Sequence, residues 1–263
     1  MNLRDYIKDN LIILDGGTGT ILQANGLKSG ELPERWNITH PNVITDLHKA
    51  YFDAGSNVVN ANTFGANILK FSKNELEVIV ASAMNNLNAA REISSGTQPK
   101  WIGFDIGPTG KMLKPYGDMD FEYCVNLYAE NVKVAAECGA DLIIIETMND
   151  SYETKAAILG AKEGSSLPVV VTNVYDAKGR TMTGADPRAM IALCEGMGVS
   201  AIGMNCGLGP DSMLKLMPDF AEYASIPVIV NPNAGIPRTE NGATVFDITP
   251  AEFAEYMKKI VLA

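Results

Sequence analysis

Apolar and polar positions along this chain fall into a repeated two-part pattern. Seven short runs are rich in β-branched or aliphatic residues: Leu11–Asp15, Asn57–Ala61, Trp101–Asp105, Leu142–Glu146, Val169–Asn173, Ala201–Asn205 and Val228–Asn231. Each is continuously apolar, not alternating, which is the pattern of a strand covered on both faces. Between most of them lies a segment of helical period. Leu76, Ile79, Ala83, Leu87 and Ala90 share one face, and Phe121, Cys124, Val125, Tyr128 and Val132 share another. Asp186-Pro187 predicts an N-cap followed by proline in the first turn, and Thr249-Pro-Ala-Glu252 predicts a capping box. Gly55, Gly96, Gly139 and Gly198 are expected to close helices ahead of the next strand.

Strand–helix alternation repeated seven times without a linker-like stretch predicts one parallel α/β domain over residues 1–263. A barrel and an open doubly wound sheet both fit that count. The first turn, Asp15-Gly-Gly-Thr-Gly-Thr-Ile-Leu22, favours the barrel. It reads Gly-x-Gly from Gly17, but Leu22 occupies the place of the third glycine of a dinucleotide motif. The second run ends in Asn60 and Asn62, without the acid that would hold a ribose. Such a turn still offers backbone N–H groups to a smaller anion such as a carboxylate.

The ends of the runs carry the polar chemistry. They present Asp15, Asn60 with Asn62 and Thr63, Asp105, Glu146 with Thr147, Asn173, Asn205 with Cys206, and Asn231 with Asn233. In a barrel these residues meet at the C-terminal rim, where such enzymes keep their sites. The bland explanation is that Asn and Asp suit turns wherever strands close; seven cases in succession favour a functional rim.

Composition narrows the class. A net charge of −10 over 263 residues argues against nucleic acid or an anionic membrane as the main partner. No run approaches the roughly 18 apolar residues of a membrane span, and Met1–Asn10 lacks the apolar core of a signal peptide. Four scattered cysteines form no disulfide framework, so a reducing, cytoplasmic setting is expected. Cys124, Cys138 and Cys194 fall on predicted helices as small core residues, and His48 reads as a helix-surface or packing residue.

Three residues draw attention as chemistry. Glu146 follows Leu-Ile-Ile-Ile, and a carboxylate at the end of a buried strand needs either a substrate ammonium or an internal Lys or Arg. Asp15 raises the same choice. Cys206 ends the run in Ala201-Ile-Gly-Met-Asn-Cys-Gly-Leu-Gly-Pro210, where a strand opens into a glycine-rich loop. Local spacing alone, with no Cys-x-x-Cys or His-x-x-x-His pair, does not make a metal site.

These motifs resemble the homocysteine S-methyltransferase family, and in particular the homocysteine-binding domain of cobalamin-dependent methionine synthases. The resemblance is carried by Ile13-Leu-Asp-Gly-Gly-Thr-Gly-Thr20, Asn60-Ala-Asn-Thr-Phe-Gly65, Asp105-Ile-Gly-Pro-Thr-Gly110, Glu146-Thr147, Thr183-Gly-Ala-Asp-Pro187, Gly203-Met-Asn-Cys-Gly-Leu-Gly-Pro210 and Pro232-Asn-Ala-Gly235. It implies a (β/α)8 TIM-type barrel with a zinc ion at its rim. The zinc would hold homocysteine as a thiolate, since a free thiol with a pKa of about 8.5 is mostly protonated at neutral pH.

By this resemblance Cys206 is a zinc ligand and the catalytic residue. Asp15, Glu146 and Asn205 are substrate-binding, and Gly16, Gly17 and Thr18 supply donors to the substrate carboxylate. The family's remaining zinc ligands are an adjacent cysteine pair on an eighth strand. That pair does not occur in this sequence. The expectation is therefore seven strands present, the eighth missing, a domain incomplete at its C-terminus and an impaired activity. The methyl donor implied is methylcobalamin on another domain or subunit, with cobalamin- and folate-binding partners; betaine and S-methylmethionine are the alternative donors. Two competing readings are a barrel that binds an amino acid or a partner protein without chemistry, and an unrelated barrel enzyme using Asp105 and Glu146 as acid and base.

Overall fold

The computed structural model of the protein describes residues 3–235, 238–240 and 243–263. Six of the predicted runs form strands: β1 (Val58–Asn60), β2 (Trp101–Ile106), β3 (Leu142–Met148), β4 (Val169–Asn173), β5 (Ala201–Asn205) and β6 (Val228–Asn231). They make one sheet whose order follows the chain, β1-β2-β3-β4-β5-β6, and pairing is parallel where β1 meets β2, β4 meets β5 and β5 meets β6. Sequential order is that of a (β/α) barrel wall. A doubly wound sheet reverses its order at a switch point, and no reversal occurs here.

The first run departs from expectation. Leu11–Asp15 forms a single parallel bridge, Leu14 with Val58, not a seventh strand. Asp15 N–H donates to the Val58 carbonyl at 3.0 Å and Asn57 N–H to that of Ile13 at 2.7 Å. Leu11 and Ile13 remain 59% and 48% exposed, so this run lacks the two-sided cover that makes the others strands. A short antiparallel pair, β7 (Arg238–Glu240) with β8 (Ala243–Val245), was not anticipated. Asn241-Gly242 between them, a pair common in two-residue hairpin turns, lies outside the described residues, as do Met1 and Asn2 of the N-terminal segment.

The chain divides into two compact units. The first comprises Met1–Gly110, Glu122–Ile144 and Leu159–Pro168. Helix Lys73–Ile93 starts at Ser72, whose side chain accepts from Glu75 N–H, and buries all five residues of its predicted face. Helix Phe121–Glu137 buries Cys124, Val125, Tyr128 and Val132; Cys138 lies just past its end and is half-buried, so it is not the helical core residue expected. Leu22, Trp36, Ile44 and Leu47 form a separate apolar cluster beneath helix Pro41–Asp53. That helix also carries His48, fully buried with neither ring nitrogen hydrogen-bonded.

The second unit comprises Lys111–Phe121, Ile145–Ile158 and Val169–Ala263. Asp186 caps helix Pro187–Gly196 by accepting from Ala189 N–H at 2.9 Å. The capping box of Thr249 and Glu252 opens helix Pro250–Val261 as predicted. Gly203 sits in β5 opposite Ile229, where a Cβ would run into the Ile229 carbonyl oxygen. Gly55, Gly139 and Gly198 adopt the left-handed conformation expected after helices. Gly96 does not; helix Lys73–Ile93 ends instead through an extended Ser94. Among the described residues no helix is long and apolar enough to cross a membrane.

Two stability predictions follow from this packing. Burial pulls the His48 pKa down to about 3. Above the unfolded value of about 6.5 the ring is neutral in both states; below it the unfolded chain takes up a proton that the folded chain refuses. Stability should fall by roughly 3 kcal/mol between pH 7 and pH 4 on this account, and urea denaturation of His48→Leu should show that share of the acid loss removed. Gly203→Ala should cost roughly 3 kcal/mol in the same assay, because β5 and β6 must separate to admit the methyl group.

Candidate functional site

In the first unit the predicted residues gather around the turn after the Leu14 bridge. Asp15 is buried, and its Oδ2 accepts from Asn60 N–H at 2.8 Å. Tyr51, on helix Pro41–Asp53, donates its hydroxyl to the Gly17 carbonyl at 3.0 Å. Its pKa is pushed up to about 12, first by burial and then by the charge of Asp15, so it keeps its proton. A Cβ at Gly16 would lie 3.1 Å from the Tyr51 oxygen, so a larger residue there would press on the Tyr51 side chain.

Gly16 and Gly17 are exposed, and Thr18 stands ahead of the short helix Gly19–Ala24 without capping it through its side chain. Among the described residues no protein group accepts from the N–H groups of Gly16, Gly17 or Thr18. Three outward backbone donors in succession suit a carboxylate.

Other strand ends in this unit are structural. Asn62 donates to the Pro33 carbonyl at 2.8 Å and to Asn37 Oδ1 at 3.3 Å, and Thr63 donates to the Asp105 carbonyl at 2.8 Å. A groove of about 630 Å³ lies along helices Lys73–Ile93 and Phe121–Glu137, lined by Lys73, Glu77, Glu130 and Lys133 among others. It contains none of the predicted site residues.

In the second unit β3 delivers Glu146. The side chain is only partly covered by surface area, yet its carboxylate is desolvated enough to raise its pKa to about 7. Among the described residues no Lys or Arg pairs with it and no donor is hydrogen-bonded to it. The internal-cation alternative thus finds no partner. Thr147, the next residue, has φ 61°.

Asn205, buried at the end of β5, is engaged with its neighbours. Its Oδ1 accepts from Thr147 N–H and from the Thr172 hydroxyl, each at 2.9 Å, and its Nδ2 donates to Thr147 Oγ1 at 2.8 Å. Cys206 follows with φ 56°, half-buried, its N–H donating to the Asn231 carbonyl at 3.1 Å. Asn233 Nδ2 lies 3.8 Å from Cys206 Sγ.

The second unit therefore holds Glu146, Asn205 and Cys206, and the first holds Asp15 with Gly16, Gly17 and Thr18. Asn173 and Asp186 turn out to be structural. Asn173 donates to the Met148 carbonyl at 3.2 Å, and Asp186 serves as a helix cap and ion-pairs with Arg180. Tyr51 and Thr172 escaped the sequence reading. Tyr51 has only its place on a helix face to mark it, and Thr172 looks like any β-branched strand residue.

Zinc was expected at Cys206. Among the described residues no three of His, Cys, Asp and Glu come close enough to hold a metal ion. One thiolate does not make a tetrahedral zinc site, so the residues present do not by themselves fit that ion.

A sequence signature described as homocysteine S-methyltransferase matches residues 12–263. The chain belongs to the homocysteine S-methyltransferase family. Over 270 aligned residues it is 29% identical to the methionine synthase of Mycobacterium tuberculosis (strain ATCC 25618 / H37Rv), covering 97% of this chain and 23% of that protein. The methionine synthase of Mycobacterium leprae (strain TN) is likewise 29% identical, with 97% and 22% covered. The chain thus spans less than a quarter of the length of these curated relatives.

Among solved structures, the metallated form of the Escherichia coli homocysteine methyltransferase MmuM superposes with a TM-score of 0.78 at 19% identity, covering 89% of this chain and 87% of that one. Its oxidized form gives 0.81 at 18% identity, with 98% and 90% covered. At these identities the likeness is one of fold.

For this family member the desolvated Glu146 sets a pH dependence. An acid whose folded pKa is raised from 4.5 to about 7 ionises first in the unfolded chain. Its effect on stability is absent below about pH 4.5, grows as pH rises, and levels off above about pH 7 at a loss of roughly 3 kcal/mol. Glu146→Gln should therefore be more stable than the parent at pH 8 and equal to it at pH 4, as read by urea denaturation at the two pH values.

Proposed function

We propose that this chain binds homocysteine and presents its sulfur as the acceptor of a methyl group, giving methionine. The observation that carries this reading is the Glu146 carboxylate, desolvated in an apolar strand and without a Lys or Arg partner among the described residues. Such a group is costly until an ammonium arrives, and the amino group of an amino acid supplies one. The Gly16-Gly17-Thr18 turn takes the substrate carboxylate through its open N–H groups, and Asp15 adds a second acid for the amino group. Cys206 is the residue assigned to the thiol end. In the transfer the sulfur lone pair forms the S–CH3 bond as the bond from the methyl group to its donor breaks, and the thiol proton leaves.

The rest of the proposal comes from the family resemblance. The donor is methylcobalamin, held with folate by domains or subunits other than this one, and the barrel is of the (β/α)8 type in a cytoplasmic protein. Sequential strand order and the methionine synthase relatives, far longer than this chain, support that picture. The resemblance gives Cys206 a zinc ion, but among the described residues no three potential ligands gather to hold one.

That shortfall favours a second reading, a barrel that binds an amino acid or a protein partner without chemistry. Titration calorimetry with homocysteine and with homoserine, with and without zinc, separates the two. Stoichiometric zinc with a preference for the thiol supports the methyltransferase reading. Equal binding of both ligands without metal sinks it. Glu146→Gln should weaken homocysteine at least tenfold, the loss of about 1.4 kcal/mol expected for an uncompensated charge-assisted contact.

A further inference from the structure

Thr147 and Cys206 are the two residues other than glycine with positive φ among the described residues, at 61° and 56°. For a β-branched residue such as Thr147 this is a genuine outlier. Strain of that kind persists only where the surroundings over-determine it. Here one side chain does so, because Asn205 holds Thr147 through both its backbone N–H and its hydroxyl, at 2.9 and 2.8 Å. Thr147 N–H can only donate, so the amide atom facing it is the oxygen, and that same oxygen takes the Thr172 hydroxyl at 2.9 Å.

Both lone pairs of Oδ1 and one of the two Nδ2 protons are thus committed within the protein. The arrangement joins side chains from β3, β4 and β5. A plain link between parallel strands requires no left-handed residue, whereas this one ends on the residue that follows Glu146. Asn205 is also the immediate neighbour of Cys206, the second strained position.

We propose that Asn205 is a positioning residue: by gripping Thr147 it holds the left-handed bend of β3 that aims the Glu146 carboxylate at the amino group of the bound amino acid. This rests on the reading of Glu146 given above, and it places Asn205 behind the ligand-binding group, not against the ligand.

The test compares homocysteine with 4-mercaptobutanoate, which keeps the thiol and carboxylate and lacks the amino group, by calorimetry on the full chain. Asn205→Ala should weaken homocysteine about tenfold and leave 4-mercaptobutanoate within about twofold of the parent. Thr147→Gly, which accepts φ 61° without strain and so spares the fold, should do the same, while Thr147→Ser keeps parental binding. In a Glu146→Gln background Asn205→Ala should add nothing. Equal weakening of both ligands, or additive effects of the two substitutions, would overturn the positioning role while leaving the Glu146 reading intact. A Glu146→Gln variant that still prefers homocysteine over its desamino analogue to the parental degree would overturn both.

Discussion

A carboxylate in an apolar strand is the constraint on which the functional half of this structure turns. Glu146 follows four aliphatic residues, is desolvated enough to titrate near neutrality, and has no cation paired with it among the described residues. Left so, it destabilises the fold. That cost makes sense for a group whose partner arrives from solution, and an ammonium ion paired there recovers the interaction that the protein itself withholds. The backbone distortion next to it has the same character: Thr147 carries strain that a purely structural strand would not keep, and the Asn205 amide holds it in place.

The first unit shows complementary chemistry by a different device. Its turn after Asp15 uses no charged side chain to attract an anion. It leaves three successive N–H groups without protein acceptors and anchors the loop from beneath through the Tyr51 hydroxyl on the Gly17 carbonyl. Taken each by itself, the first unit offers backbone donors suited to an anion, and the second offers a desolvated acid suited to a cation. This is the chemistry expected of a homocysteine S-methyltransferase family member.

Much of the candidate site was legible because acids and glycines at strand ends are conspicuous in a continuous apolar pattern. Glu146 stood out for that reason, and so did the Gly16-Gly17 turn and Cys206. The same signal over-reached at Asn62 and Asn173, which tie a turn and a strand end, because Asn is chosen for those duties too. Asn205 was legible as a polar strand end, whereas the engagement of most of its amide with Thr147 and Thr172 was not. A hydrogen-bond partner 33 or 58 residues away leaves no trace in local sequence.

By itself the sequence determined the alternation of six strands with helices, the helix caps at Asp186 and Thr249, and the family, because these depend on local periodicity, capping chemistry and ordered motifs. Tertiary structure alone decided that Leu11–Asp15 stops at one bridge, that His48 is sealed in without a hydrogen bond to its ring, and that no three potential ligands gather to hold a metal ion among the described residues. It also decided that the Asn205 amide bonds to Thr147 and Thr172. Each of these depends on what lies across space from a residue. Two-sided cover, desolvation and hydrogen-bond partners are properties of the packed chain, and no pattern along the sequence carries them.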